Sequence, residues 1–502
     1  MTTASAPAFL AFDLGATSGR AVLGRFDDDR LSLEEVHRFP NGPVCVGDSL
    51  FWDILRLWDE MQRGLALAAA RAGDSLVSIG VDTWGVDFGL LAEDDTLLGN
   101  PYCYRDARTD GMLEAAFEAV PRDEIYAQTG IQFMQLNSLY QLLALARANA
   151  ADLRIARRFL NVPDLLNFWL SGVKASEFTI VSTTQCYNPV TENWAWPLLE
   201  RLGIPTAPFG EIVPPGTTVG ALRPSVMRDT GAPSVKVIAT ASHDTAAAVA
   251  AVPAEVADYA YISSGTWSLM GVEVSAPVIS AASLAANLTN EGGVNGTIRL
   301  LKNIMGMWLI EECRRTWAQA GHSYSYGELT ALAENARPFS ALIWPGDPRF
   351  LAPGDMPARI AAACVESGGT APAGPGELVR CVLESLALEY RRVLELIESV
   401  QGRSVSVVHV VGGGSRNALL NQFTANATAR PVVAGPVEAT ATGNILVQAV
   451  ATGHVASIAE GRALLRRFAE TSTFAPADVE QWEAAYQRYG RLVTALEEAH
   501  TG

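Results

Sequence analysis

Two stretches set about half a chain apart are written in the same way. In residues 8–26, apolar Phe9–Phe12 leads into the small-residue turn Gly15-Ala16-Thr17-Ser18-Gly19, and Ala21–Leu23 leads out again. In residues 259–274, Tyr259–Ser263 leads into the turn Ser264-Gly265-Thr266, and Ser268–Val274 leads out. Each reads as a strand, a tight turn and a returning strand. A chain of 502 residues is long for one hydrophobic core, so two domains are expected. The repeated hairpin makes those domains the products of a duplication, each opening on a glycine-turned hairpin. The boundaries read as 1–250 for an N-terminal domain, 251–455 for a C-terminal domain, and 456–502 for a helical tail that packs back on them.

The stretches between the hairpins alternate strand and helix, as in α/β domains. Short apolar runs predict strands at Val77–Val81, Val86–Leu91, Val235–Thr240, Val405–Val411 and Val432–Val433. Helical periodicity covers about 52–72, with Leu55, Trp58, Met61 and Leu65 on one face. Further helices are expected at about 110–120, 138–149, 163–171, 304–319, 377–400, 417–428 and from 441. The helix over 377–400 points Leu378, Val382, Leu386, Tyr390, Val393 and Ile397 at the core. Residues 187–235 and 336–376, rich in proline and glycine, read as irregular.

Charge narrows the function. A formal net charge of −17 repels phosphate backbones, so nucleic acid is not an expected partner. The N-terminus has no basic stretch followed by an apolar one, and no run of about 18 apolar residues occurs, so neither export nor a membrane is expected. A cytoplasmic protein, monomeric or homodimeric, is the expectation. The six cysteines form no CxxC pair, which argues against zinc; Cys364 and Cys381 flank a Gly/Pro-rich loop and are placed either to meet or to stay separate thiols.

Four clusters carry candidate chemistry. In Asp13-Leu-Gly15-Ala16-Thr17-Ser18-Gly19-Arg20, the glycines are expected at positive φ, which brings backbone N–H groups close to a ligand. Thr17 and Ser18 add hydroxyls, Arg20 a cation, and Asp13 is suited to hold Mg²⁺ through water. The cluster is either a phosphate cradle or an ordinary tight hairpin. Gly412-Gly413-Gly414-Ser415-Arg416-Asn417 lies between a strand and a helix, where a phosphate or adenosine can approach closely, or where the chain simply turns. Ser242-His243-Asp244-Thr245 follows a strand at the junction of the two halves; Asp244 reads as a positioned weak base, as a helix cap, or both. A helix N-terminus is expected to keep its carboxylate ionised. Asp82-Thr83-Trp84-Gly85-Val86-Asp87 offers two carboxylates at strand ends, an indole for a sugar's apolar face and a glycine for close approach. Tyr104-Arg105-Asp106 and Arg108 read as a salt-bridged loop. Asn290-Glu291 and Lys302-Asn303 are candidates for the same site, with a helix N-cap as the alternative for Asn303. No GxxxxGK[ST] and no protein-kinase signature occurs, which excludes those two nucleotide-binding designs.

Taken together, FDLGATSGR, IGVDTWGVDFGLL, YRDARTDGM, SHDTA, YISSGTWSLMG, TNEGG, LKNIMGMW and VVGGGSRNALLNQF resemble the FGGY carbohydrate kinases of the actin-like ATPase superfamily. The likeness runs from about residue 8 to 450. It implies two duplicated actin-like (ribonuclease H-like) domains with an interdomain cleft, the first binding sugar and the second nucleotide. It implies ATP-dependent phosphorylation of a ketose, L-rhamnulose at O1, with Mg²⁺. By motif match, Ala16, Thr17, Ser18, Gly19 and Arg20 would bind the ATP phosphates, and Thr266 and Gly413 would hold ATP from the second domain. Gly85, His243, Asp244, Thr245 and Asn303 would touch the sugar, with Asp244 the proton acceptor. Relatives often carry Gln where this chain has Glu311, an assigned ATP contact whose extra negative charge must turn away or meet a hydroxyl. Kinases of L-fuculose or xylulose, and a silent sugar or nucleotide sensor, are the competing readings.

Overall fold

The computed structural model describes residues 6–27 and 30–501. Its contacts divide the chain into two units. The first gathers residues up to Pro253 with Glu273–Leu300 and Ala439–Ala469; the second gathers Ala254–Val272, Leu301–Glu438 and the segment from Glu470 onward.

The first unit is built on a six-stranded sheet. Its strands lie in the order Thr217–Ala221, Lys236–Ala239, Leu76–Thr83, Ala8–Leu14, Ser18–Asp27, Arg30–Pro40. Every residue of Ala8–Leu14 is buried, as expected for an apolar strand covered on both faces. It pairs antiparallel with Ser18–Asp27 and parallel with Leu76–Thr83. Lys236–Ala239 extends the parallel set, and Thr217–Ala221 closes that edge antiparallel.

The sheet of the second unit repeats this plan. Tyr259–Ser264 is its opening strand, antiparallel to Trp267–Val274, which is followed outward by Ile298–Met305. On its other side lie the parallel strands Val407–Val411 and Val432–Ala434, then the antiparallel edge Ser472–Phe474. A hairpin on one side and two parallel strands with a reversed edge on the other is an elaborate pattern to occur twice. The duplication inferred from the two turns therefore extends to whole sheets.

Helices cover these sheets where the periodicity places them, with corrections. Ile54–Ala72 starts at Asp53, whose Oδ1 accepts from Arg56 N at 3.2 Å, and it buries Leu57, Met61 and Leu65. Leu55, expected on the core face, is 60% exposed. It stands about 200° round the helix from Leu57, and the small residues Gly64, Ala68 and Ala69 complete the buried stripe instead. In Pro375–Gln401 the whole expected face is buried. The helix expected at 304–319 begins only at Trp308, because Lys302–Met305 continues the strand Ile298–Met305. Gly306 makes that turn possible: a Cβ there would sit 2.6 Å from Ser268 Oγ. The irregular stretches hold short helices at Trp196–Arg201, Pro224–Thr230 and Met356–Glu366. Cys364 and Cys381 do meet, buried, as thiols with Sγ atoms 3.6 Å apart.

One helix from late in the sequence completes the first unit. Ala439–Ala451 packs on Asp244–Ala250 so closely that a Cβ on Gly443 would lie 1.7 Å from Ala247 O. Its polar side chains reach across the sheet. Asn444 Nδ2 donates to Asp82 Oδ2 at 2.5 Å, Gln448 Nε2 to Leu10 O at 3.0 Å, and Ser78 Oγ to Gln448 Oε1 at 2.7 Å. Gly443→Ala should therefore force the two helices apart and lower stability by about 3 kcal/mol in urea denaturation. Gly490→Ala, in the helix Val479–Thr501 where an added Cβ meets nothing within 4 Å, should raise stability by roughly 1 kcal/mol.

Candidate functional site

In the first unit the parallel strands Ala8–Leu14, Leu76–Thr83 and Lys236–Ala239 end side by side, the place where open α/β sheets bind ligands. Asp13 ends the first strand and is register partner to both Arg20 and Asp82. Arg20 Nη2 holds Asp13 Oδ2 as an ion pair. The turn beyond is fixed by Gly15 N donating to Ser18 O at 2.9 Å, and by Asn41, whose Nδ2 donates to Gly15 O at 2.8 Å and whose N donates to Thr17 O at 3.0 Å. Neither Gly15 nor Gly19 takes a positive φ, contrary to expectation. Gly19 is required for space instead: a Cβ would lie 2.2 Å from the Phe39 ring. The amides of Ala16 and Thr17 make no hydrogen bond among the described residues, and Thr17 is exposed. A turn with spare N–H groups beside Arg20 is suited to an anion.

Asp82 is fully buried next to Asp13. Burial, and then the neighbouring Asp13, push its carboxyl well above the ordinary range, although Asn444 donates to it. Its Oδ1 has no hydrogen-bond partner among the described residues. Three residues on, Gly85 lies against Thr183, and Thr183 Oγ1 accepts from Val86 N at 3.1 Å. Asp87 is an organiser of the wall behind. Its Oδ2 accepts from Trp52 Nε1 at 2.6 Å, Trp84 Nε1 at 2.9 Å and Tyr104 N at 3.2 Å, and its Oδ1 from Gln141 Nε2 at 2.9 Å. Trp84 is thereby buried against Trp52, with ring centroids 4.1 Å apart. Burial outweighs these donors and pushes the Asp87 carboxyl up to about 6. Asp106, read as one side of a salt bridge, instead accepts from Leu50 N at 2.7 Å and Arg108 N at 3.0 Å. Arg108 stacks on Tyr102 at 3.7 Å and donates to Gln141 at 2.5 Å.

The third strand end carries His243, Asp244 and Thr245, joined to the second by Thr83 N donating to Ser242 O at 2.9 Å. Asp244 opens the seven-residue helix Asp244–Ala250 without capping it; no side-chain cap bond is made there. Its Oδ1 accepts from Thr245 Oγ1 at 3.1 Å and lies 3.4 Å from His243 Nε2. Burial, opposed by His243 and reinforced by Asp13, raises the Asp244 carboxyl above its ordinary value. Glu177 supports the loop from below: Oε2 accepts from Ser242 N at 3.1 Å, and burial pushes its carboxyl up to about 7. Behind His243 stands Arg299, fully buried, with Nη2 3.0 Å from His243 Nδ1 and 3.2 Å from Glu291 Oε2. Sequence reasoning passed over Glu177 and Arg299. The signal for Arg299 is a lone arginine between Ile298 and Leu300-Leu301 in a buried strand, where a charge rarely stays without a partner.

In the second unit, Thr266 and Gly413 are brought onto neighbouring strand ends, because Ser263 and Val411 are parallel register partners. The turn repeats the first: Gly265 N donates to Trp267 O at 2.8 Å, and Thr266 O accepts from Trp308 N at 3.1 Å. Gly412 has φ +83. A Cβ on Gly414 would lie 2.0 Å from Ser264 Oγ, whereas one on Gly413 would meet nothing within 4 Å. Asn303 lies inside the strand Ile298–Met305, not at a helix N-cap. Glu311 Oε2 accepts from Tyr326 Oη at 2.6 Å and from Arg314 Nη1 at 2.7 Å, so its charge is matched by a cation and a hydroxyl.

Residues 8–251 match the N-terminal domain of the FGGY family of carbohydrate kinases, and residues 260–452 match its C-terminal domain. A rhamnulokinase of Bacteroides thetaiotaomicron is 49% identical over 485 residues, covering 97% of this chain and 99% of that protein. Rhamnulokinases of Oceanobacillus iheyensis and Halalkalibacterium halodurans are 40% and 42% identical, each covering 94% of this chain and 99% of the relative. Among solved structures, a gluconate kinase from Lactobacillus acidophilus aligns at TM-score 0.80 and 17% identity, covering 98% of each chain, a likeness of fold.

The Asp87 environment yields a test with a defined sign. A carboxyl raised from 3.8 to about 6 by folding favours the native state below about pH 4, and that advantage is lost as pH rises through 6. The loss amounts to roughly 3 kcal/mol. In Asp87→Asn this component should vanish from the pH dependence of urea denaturation. A wild-type and mutant pair differing by a constant amount between pH 4 and pH 7 would contradict it.

Proposed function

The chain belongs to the FGGY family of carbohydrate kinases, and on that premise we propose that it transfers the γ-phosphoryl group of ATP to O1 of L-rhamnulose. The observation that carries the substrate choice is the 49% identity to a rhamnulokinase over 97% of this chain. Phosphoryl transfer with a loose transition state asks chiefly for positioning and charge compensation. In the reaction, O1 forms a bond to the γ-phosphorus, the bond from that phosphorus to the β,γ-bridging oxygen breaks with its electrons staying on ADP, and the hydroxyl proton passes to Asp244. A carboxyl raised by burial is a better proton acceptor than a free aspartate.

His243, Thr245, Gly85 and Asn303 are the proposed sugar contacts. Ala16, Thr17, Ser18, Gly19 and Arg20 are proposed to receive the ATP phosphates on spare amides and a cation. Thr266 and Gly413 are the proposed ATP contacts of the second unit, and Glu311, balanced by Arg314, could meet the nucleotide through a hydroxyl without net repulsion. The donor set fits magnesium. Asp13 lies beside Asp82, whose Oδ1 is buried and unpartnered among the described residues, and a hydrated Mg²⁺ is held by one or two carboxylates while keeping its waters. Asp13 would hold the ion; when bound it supplies charge that offsets the phosphates. No helix among the described residues is long and apolar enough to cross a membrane. The cytoplasm, where ATP is made available, is the proposed site of action.

Two measurements test the reading. In a coupled ADP-release assay over L-rhamnulose, L-fuculose and D-xylulose, L-rhamnulose should give the highest kcat/KM, and Asp244→Asn should lower kcat by about 10²–10⁴-fold with both substrates still bound. Preference for another ketose would reassign the substrate; near-normal turnover of Asp244→Asn would remove the base. Gly413→Ala, which puts a methyl group into open space, should leave the melting temperature unchanged and raise KM for ATP several-fold. An unchanged KM would take Gly413 out of the nucleotide site.

A further inference from the structure

We infer that Arg299, balanced by Glu291, is a positioning residue that fixes the tautomer of His243 and through it the working orientation of Asp244. The inference rests on Asp244 being the proton acceptor. Its starting point is stoichiometric. A guanidinium has five N–H donors and no acceptor, so the 3.0 Å contact between Arg299 Nη2 and His243 Nδ1 is possible only if Nδ1 carries a lone pair. The ring proton must then be on Nε2, the nitrogen that faces Asp244 Oδ1 at 3.4 Å.

Glu291 shows why the arginine is needed. Its Oε2 lies 3.4 Å from His243 Nδ1, on the same side as the guanidinium. Without Arg299, that carboxylate would draw the ring proton to Nδ1 and leave a bare lone pair on Nε2 pointing at Asp244. Two acceptors would then face each other, and Asp244 would swing away or take up a proton. With Arg299 in place, Glu291 Oε2 is ion-paired with Nη2 at 3.2 Å, a contact without hydrogen-bond geometry, and His243 presents a donor. Both tethers on Asp244, the Thr245 hydroxyl and the His243 N–H, then address Oδ1, which leaves Oδ2 to meet the acceptor hydroxyl. A gap of 3.4 Å is loose for a hydrogen bond, as catalytic contacts often are before substrate binds.

The cost of the arrangement points the same way. Arg299 is fully buried, spends Nε on Gly292 O at 2.8 Å, and has Nη1 without a hydrogen-bond partner among the described residues. A buried ion pair rarely stabilises a fold more than apolar side chains of the same volume would. Tautomer control gives this one a purpose that packing does not.

The full-length enzyme, labelled with ¹⁵N in its histidine rings, provides the test. His243, identified by its loss in His243→Gln, should show a protonated Nε2 and an unprotonated Nδ1 by ring ¹⁵N shifts. In Arg299→Met the proton should move at least partly to Nδ1. kcat should fall about 10–100-fold, by analogy with loss of the hydrogen-bond partner of a metal-ligating histidine, with KM for ATP unchanged. His243→Gln keeps an amide N–H near the position of Nε2, so it should lose less, and adding Arg299→Met to it should cost little more. A wild-type proton on Nδ1 overturns the inference even if Arg299→Met fails to fold. So does a tautomer that stays put in Arg299→Met, or equal losses on both histidine backgrounds. Failure of Asp244 as base would appear separately, as retained turnover in Asp244→Asn.

Discussion

Register between parallel strands is the constraint on which the first unit depends. Asp13 opposite Asp82, and Thr83 bridged to His243, put carboxylates from three strands on one rim. A strand's side chains alternate between faces, so a slip of one residue would turn Asp13 or Asp82 away from its neighbour. The register is held from both directions. Apolar residues from Ala8 to Phe12 fix the strand against its covers, and Gln448 and Asn444 grip Leu10 and Asp82 from the helix above. Gly80 belongs to the same lock, since a Cβ there would lie 2.6 Å from Asn444 Oδ1.

Burial makes this rim chemically unusual. Asp82, Asp87, Glu177 and Asp244 all have carboxyls raised by desolvation, and in none does hydrogen bonding fully compensate. Crowding carboxyls in one place is costly, and nearby cations offset part of that cost. The cationic residues are spaced accordingly: Arg20 on Asp13, Arg299 on Glu291. Each is paired with an acid beside a strand end, so the local charge is graded and not simply negative.

Much of this was legible in the sequence because it is local. Turn chemistry at 15–19 and 264–266 and the glycine run at 412–414 announced both hairpins and the strand-to-helix turn. The apolar face of Pro375–Gln401 followed from its period alone. What was not legible depends on contacts distant in sequence. Leu55 looks as apolar as Leu57, and only packing against the sheet decides which is buried. Lys302–Met305 has the composition of a helix start and is held as strand by Gly306 pressed on Ser268. Gly19 is needed for the Phe39 ring and not for its φ, and Glu177 reaches Ser242 across 65 residues of chain.

The weaving of the chain has a consequence for how it is made. A ribosome releases residues in order, yet the first unit lacks its covering helix until Ala439–Ala451 has emerged. Until then the polar edge of Asp82, the backbone of Leu10 and the bare flank of Ala247 have nothing to close over them. The first unit therefore cannot mature on its own early residues; it has to wait, partly open and in need of protection from other chains, until residue 451 has been synthesised.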